Sequence, residues 1–383
     1  MRAPRKRWAM GAPGHVGRAA LCAVALCAAA RAAASTVVDP IARLTLEGGY
    51  DSNVLYDGSG SDRVGRVSPD VGLRFRDHTW ELRTLYGVDF LTYQRMQPGG
   101  SWNHRGSLAL DARATRRLTL HADFRGAYAF DPVGLAQMGV FRTGRDSALI
   151  LHGRGRAEFR ATERVDVAGT LTEETVRFQD RTGGAMHQPG IEALYRYNRR
   201  LSLGAGYLAS MFQGFERGAT DWAFAHALRA RGRYELSRQL TVNASAGPAL
   251  WLKSGDAVIV PEGSVELVGV SREWEGRAQL AHGLGLGNTA SPGLVDSVEV
   301  GLARRFARRF ELRGDGGIWR SGRAPSGGDA VTGYVTYGEA ALLVGGGVRL
   351  ALAATHFARI DDPSAALRRT TFGLRLGWTL PER

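Results

Sequence analysis

From Ser107 to Phe130 the chain alternates apolar with polar residues, broken once at Arg116 and Arg117. Before the break Leu108, Leu110, Ala112 and Ala114 share one parity, with Asp111 and Arg113 on the other. After it Leu118, Leu120, Ala122, Phe124, Gly126, Tyr128 and Phe130 face Thr119, His121, Asp123 and Arg125. A period of two is that of a strand, so the segment predicts two strands joined by a tight turn. Each strand is longer than the roughly 5 or 6 residues usual in soluble sheets. Such a length suits a tilted strand crossing a bilayer. Hydrocarbon offers no water to backbone N–H and C=O groups, so strands that cross it must close into a barrel.

The same pattern recurs. About eighteen alternating segments fill the chain past Pro40, starting at 41–55, 66–76 and 79–93 and ending at 332–345, 348–360 and 369–380. Connections after even-numbered segments are tight, as at 76–78, 116–117 and 199–200; those after odd-numbered ones are longer and polar, with DRTGGAMHQ, RGATD and SGDAVIVP among them. Short turns on one rim, long loops on the other and an even strand count predict a transmembrane antiparallel up-and-down β-barrel, all-β, in a Gram-negative outer membrane. On this reading the apolar parity meets lipid and the charged parity faces a water-filled lumen. Trp80, Leu82, Tyr86 and Phe90 point out while Glu81, Arg83 and Asp89 point in. A soluble sheet with one wet face gives the same alternation. Segment length, the leader described below and aromatics near strand ends (Trp80, Phe130, Tyr207, Trp319 and Trp378) favour the membrane, where they form interfacial girdles. The stretch 339–358 is apolar enough for a helix, but three consecutive glycines inside it cost about 1 kcal/mol each, so two strands with Gly346 in the turn are expected. Eighteen strands enclose an aqueous channel unless loops fold inward. The longest loop, 131–147, carries Leu135, Met138, Val140 and Phe141. It is a candidate constriction, with packing at the outer surface the alternative.

Residues 1–34 read as a signal peptide and 35–383 as one barrel domain. Arg2, Arg5, Lys6, Arg7 and Arg18 precede the short apolar stretch LCAVALCAAA, and Ala32, Ala33 and Ala34 offer a cleavage site. An anchoring helix is the alternative, but the stretch is too short to span. Cys22 and Cys27 both lie in this leader, so the expected mature chain has no disulfide, thiolate metal site or thiol nucleophile. Cleavage removes six basic residues and no acidic one, reducing the formal charge from +13 to +7. Lys6 and Lys253 are the two lysines; the remaining basic charge is arginine, as a GC-rich genome gives. Without a clustered basic helix or tail, nucleic acid is not an expected partner.

Little in the chain points to catalysis. The histidines past the leader (His78, His104, His121, His152, His187, His226, His282 and His356) are scattered over separate hairpins, and a lumen or rim position is the default for each. No enzyme activity, cofactor or metal is expected. The run Gly283 to Gly287 lacks the strand-to-helix setting of a phosphate cradle, and the acids at Asp57–Asp62 and Asp361–Asp362 read as solvated loop more readily than as calcium ligands. The inward parity collects Arg83, Arg125, Arg154, Arg156, Arg160, Arg229, Arg231 and Arg233, together with acids such as Glu81, Asp123, Glu158, Glu192 and Glu235. Two readings stay open: a local positive strip giving a path for anions or acidic glycans, and electrostatic bracing of the wall without selectivity.

Two short motifs carry resemblances. Thr371-Phe372-Gly373-Leu374-Arg375-Leu376-Gly377-Trp378 resembles the C-terminal signal of outer-membrane barrels, with Thr371, Gly373, Leu376 and Trp378 at its polar, glycine, apolar and aromatic places. It implies recognition by the barrel assembly machinery, although five residues follow the aromatic one. The first strand, EGGYDSNVLYD, resembles barrels of exopolysaccharide gene clusters, and the whole architecture looks similar to the Wzp-type export porins of myxobacteria. That resemblance implies an outer-membrane conduit for a secreted polysaccharide, supplied by a periplasmic polysaccharide export protein. A diffusion porin for small solutes is the alternative, and a structural or adhesion barrel with a blocked lumen the third reading.

Overall fold

A computed structural model describes residues 36–54, 60–95, 101–129, 147–216, 219–253, 255–287, 292–307, 309–323, 330–360 and 368–380. The leader and most of the loop 131–147 lie outside the described residues, so the expectations for them stay as stated. Eighteen strands follow in chain order: β1 (Val37–Asp51), β2 (Asp62–Arg76), β3 (Trp80–Tyr93), β4 (Ser101–Arg113), β5 (Leu118–Ala129), β6 (Ala148–Arg160), β7 (Val165–Phe178), β8 (Gly183–Arg196), β9 (Leu201–Glu216), β10 (Ala219–Glu235), β11 (Leu240–Lys253), β12 (Asp256–Val270), β13 (Trp274–Leu286), β14 (Pro292–Phe306), β15 (Phe310–Arg323), β16 (Val331–Gly345), β17 (Val348–Arg359) and β18 (Arg369–Thr379). Each pairs antiparallel with its sequence neighbours, and β1 pairs with both β2 and β18, so the sheet is a closed barrel.

The alternation sets the faces. Tyr86, Leu108, Phe124, Tyr128, Leu228, Tyr234, Leu350, Leu352 and Trp378 are exposed on the outside. Gly345, Gly346 and Gly347 have φ of 111°, 60° and 80°, the left-handed region that glycine enters freely. They form the β16–β17 turn, as the two-strand reading of 339–358 requires. Three connections expected to be long are tight. DRTGGAMHQ, RGATD and SGDAVIVP are largely strand, since β8 begins at Gly183, β10 at Ala219 and β12 at Asp256. Ladder pairing overrides the turn propensity of their glycines and aspartates.

One girdle aromatic is misplaced by the sequence reading. Trp319 faces inward, buried against Val335 and Phe357 with Val295 packed beside them. Its neighbour Ile318 takes the outward place. A tryptophan near a strand end suits either an interface or a packed lumen, and parity decides between them.

The barrel closes where the glycine-tyrosine-aspartate motif sits. Asp51, at the end of β1, accepts from Arg369 at the start of β18: Nε lies 2.9 and 3.0 Å from the two carboxylate oxygens and Nη2 2.5 Å from Oδ2. Both side chains are almost fully buried, at 1% and 4% exposure. Ser52 N donates to Thr370 O at 3.0 Å, Thr370 N to Ser52 Oγ at 2.8 Å, and Asn53 Nδ2 to Arg368 O at 2.9 Å. Gly49 is required here, because a Cβ would stand 2.1 Å from Phe372 O. The motif residues therefore lock the first strand to the last. Removing one partner of a buried pair leaves an uncompensated charge worth roughly 3–5 kcal/mol. Arg369→Met is accordingly expected to destabilise the folded barrel by that order, seen as a lower urea midpoint. An unchanged midpoint in a gel-mobility unfolding titration would remove this role.

Candidate functional site: the inner wall

The inner wall carries arginines and carboxylates brought together from neighbouring strands. On one side Glu192 of β8 lies between two arginines: Arg156 Nη2 of β6 is 2.6 Å from one of its oxygens, and Arg231 of β10 pairs with the other. Arg156 Nε also reaches Glu158 at 2.5 Å. Arg229 pairs with Glu262 of β12 at 2.6 Å, Arg277 with Glu266 at 2.7 Å and Arg233 with Glu235 at 3.5 Å. On the opposite side Arg375 of β18 joins Glu47 of β1 at 3.0 Å to Glu339 of β16 at 3.2 Å, and Arg349 of β17 reaches Glu339 at 2.5 Å. Arg105 bridges Asp70 at 2.6 Å and Asp89 at 2.5 Å.

The residues picked from sequence are thus mostly paired. Arg83 meets Glu81 at 2.9 Å, Arg125 meets Asp123 at 2.9 Å, and Arg160 lies 3.8 Å from Asp166. Arg154 is exposed and makes no ion pair among the described residues. Of the ladder Arg229, Arg231, Arg233, Arg231 shares Glu192 with Arg156, and Arg229 is held by Glu262. Parity could place the arginines; it could not reveal which carboxylates face them two strands away. Pairs that face water contribute about 0–1 kcal/mol each, so their collective effect is to hold the wall and even out its field.

Apolar residues also line the interior, towards the outer rim, the end reached by the odd-numbered strands. Met186, Phe212, Ala223, Ala225, Ala227, Trp251, Val260 and Leu284 form the largest buried cluster. Phe212 and Trp251 sit with ring centroids 5.2 Å apart. Cα atoms of β13 approach those of β8 to within 8 Å, and those of β14 approach β9 equally. These pairs are not sheet neighbours, so the barrel is pinched across its lumen at this end. Nothing in the local alternation announces such a long-range approach.

His121 and His152 share the inward parity, beside Asp111 and Glu174, and His78 stands in the short β2–β3 turn, whereas five histidines face outward. His104, His187, His226, His282 and His356 share the outward parity, as their cross-strand partners Tyr128, Met211, Ala209, Asp296 and Thr370 do. Tyr86, Tyr207 and Tyr334 place their hydroxyls 2.8, 2.6 and 2.8 Å from His104, His226 and His356. Such amphipathic pairs suit the interfacial belt of a membrane barrel. In β18, Leu376 and Trp378 face outward, Gly373 leaves room for the Glu47 side chain, and Thr371 pairs with Asp51.

A sealed cylinder with an apolar exterior, an aromatic–histidine belt and a polar interior defines an integral outer-membrane β-barrel. No family model and no curated protein matches the chain. Solved structures of similar architecture include Pseudomonas aeruginosa OccK7 (OpdD), 12% identical with a TM-score of 0.44 over 91% of this chain and 99% of that one. Acinetobacter baumannii OccAB3 is 9% identical with a TM-score of 0.42, covering 89% and 99%. Pseudomonas aeruginosa OpdK, solved with vanillate, is 12% identical with a TM-score of 0.41, covering 89% and 98%.

Glu192 sets the local field, and its removal gives a direct test. Glu192→Gln leaves Arg156 and Arg231 without their shared carboxylate. Anion preference is expected to rise on the order of twofold, since lumen water screens a single charge within about 8 Å. Arg231→Gln is expected to shift the reversal potential the other way. Equal reversal potentials in both variants would show that this cluster does not face the ion path.

Proposed function

We propose that the chain is an outer-membrane diffusion porin for small solutes. The observation that carries this reading is the pinch: β13 and β14 crowd β8 and β9 across the lumen, and apolar side chains fill the space between them. A narrowed, partly dry opening favours small molecules over a hydrated polymer. Clusters of paired charge along the wall suit passage of polar solutes without tight binding, which conduction requires. Interior arginines act on this reading mainly as braces, with Arg154 and the Arg125 region the most available to a passing anion. Export of a polysaccharide, implied by the likeness at 47–57, draws no support from the geometry, because Tyr50, Asp51, Ser52 and Asn53 serve the closure of β1 on β18. Recognition of Thr371, Gly373, Leu376 and Trp378 by the assembly machinery remains part of the proposal, with the exposed Leu376 and Trp378 as its contact face.

Proteoliposome swelling tests the reading. Purified mature barrel is expected to admit a monosaccharide rapidly and to exclude a dextran, with stable conductance in planar bilayers. Dextran uptake at a rate comparable to the monosaccharide would favour the polymer conduit, and a pore that never conducts would favour the blocked barrel.

A further inference from the structure

The wall of the barrel forks. Every other neighbouring pair of strands stays in register to within four residues of its outer-rim ends. Between β12 and β13 the last pair is Gly263 with His282. Beyond it Asp256–Glu262 remain paired with β11, and Gly283–Leu286 with β14, but not with one another. Glu262 sits in the crotch with its side chain 3% exposed. One carboxylate oxygen accepts from Leu284 N at 2.9 Å, satisfying a backbone donor that the ladder has released; the other accepts from Arg229 Nη2 at 2.6 Å. An unpaired amide in this setting is expensive, and here a charged side chain replaces the missing strand.

Past the fork the hairpin tucks inward. Leu280 is 56% exposed on the outer face, yet Leu284, of the same parity one β-repeat pair further on, is 8% exposed within the lumen cluster. In β14, Val298 is 43% exposed outside, while Leu294 packs against that same cluster. The outer face of the β13–β14 tip therefore lies on the inner face of β8 to β12. Pro292 confirms the overlap: a Cβ on Gly214 of β9 would touch its ring at 3.8 Å. Gly283 and Gly285 keep the other face of this tip thin. A cavity of about 910 Å³ opens beside the fork, lined from the lipid side by Val265, Leu280 and Val298 and from the lumen side by Glu262 and Ser264.

We propose that the β12–β13 fork is a lateral exit through which small apolar molecules pass between the lumen and the outer leaflet. On its β12 edge the tip is held over the opening by side-chain packing and by Glu262, with no strand ladder, while its other edge stays paired with β15 as far as Gly293 and Arg323, so it can swing away from β12 together with the end of β15. Val260, Trp251 and Leu284 make the inner approach apolar, and Val265, Leu280 and Val298 lead on to the acyl chains. A class of solute that water excludes thereby leaves the aqueous lumen sideways. This inference rests on the diffusion reading above, and the test separates the two.

The mature chain is expected to lack cysteine, so Val260→Cys with Leu284→Cys can tie the tip to β12. Uptake of the hydrophobic dye phenylnaphthylamine is followed in Gram-negative cells producing the barrel, with bilayer conductance of the same protein in parallel. Reduced double variant and unaltered protein are expected to admit the dye several-fold faster than cells without the barrel. Oxidation is expected to abolish that increment, and reductant to restore it. Leu284→Ala, which loosens the tip without a crosslink, is expected to raise dye uptake further. Dye uptake unaffected by oxidation and by Leu284→Ala overturns the lateral exit and leaves the porin reading standing. Absence of conductance in unaltered protein overturns the porin reading instead.

Discussion

A backbone amide in hydrocarbon has to be paired, and the rest of this molecule follows from that requirement. It explains why alternating segments of a dozen or so residues close into a cylinder, and why the first and last strands are joined with such care. Asp51 and Arg369 form a buried, multiply hydrogen-bonded pair at the outer-rim end of the seam between the first and last strands. The same requirement explains Glu262. Where β12 and β13 separate, its carboxylate takes over a released N–H, so the fork leaves no orphan at Leu284.

Closure creates an interior, and the interior is divided by chemistry. Carboxylates set between arginines of nearby strands give a wall that is charged but locally balanced, as at Glu192 and Glu339. Towards the outer rim side chains become apolar and the cylinder narrows around Phe212 and Trp251. A solute thus meets a restricted, partly dry zone at one end and a hydrated, polar wall beyond it. Ion pairing in such a wall steadies the strands against each other and keeps any single charge from trapping a passing ion.

Much of the fold was legible in the sequence because the barrel imposes one local rule on every strand. Alternation located the start of β5 at Leu118, with the last expected residue, Phe130, outside the described residues, and β15, β16 and β17 to within two residues. Parity placed Arg229, Arg231 and Arg233 inside and Leu228 outside. What it could not supply was anything fixed by strands far apart in sequence. Trp319 obeyed parity, but its nearness to a strand end suggested a girdle. Glu192 was read as one acid among several, whereas its position between β6 and β10 makes it the partner of two arginines. The Gly283 to Gly287 run carried no sign of a fork, since alternating leucine and glycine suits an ordinary strand equally well. The histidines that face lipid share their parity with tyrosines on adjacent strands, a signal present in the sequence and usable once register is known.

The central claim is that lipid surrounds one parity of side chains and water fills the space enclosed by the other. Single cysteines placed in turn along β10, from Trp222 to Tyr234, and carrying a nitroxide label test it most directly in reconstituted bilayers. The account predicts that labels at even-numbered positions collide with molecular oxygen dissolved in the hydrocarbon. Labels at Arg229, Arg231 and Arg233 are predicted to collide with a water-soluble nickel chelate. A profile without a two-residue period, or one in which both parities meet the chelate equally, would contradict it.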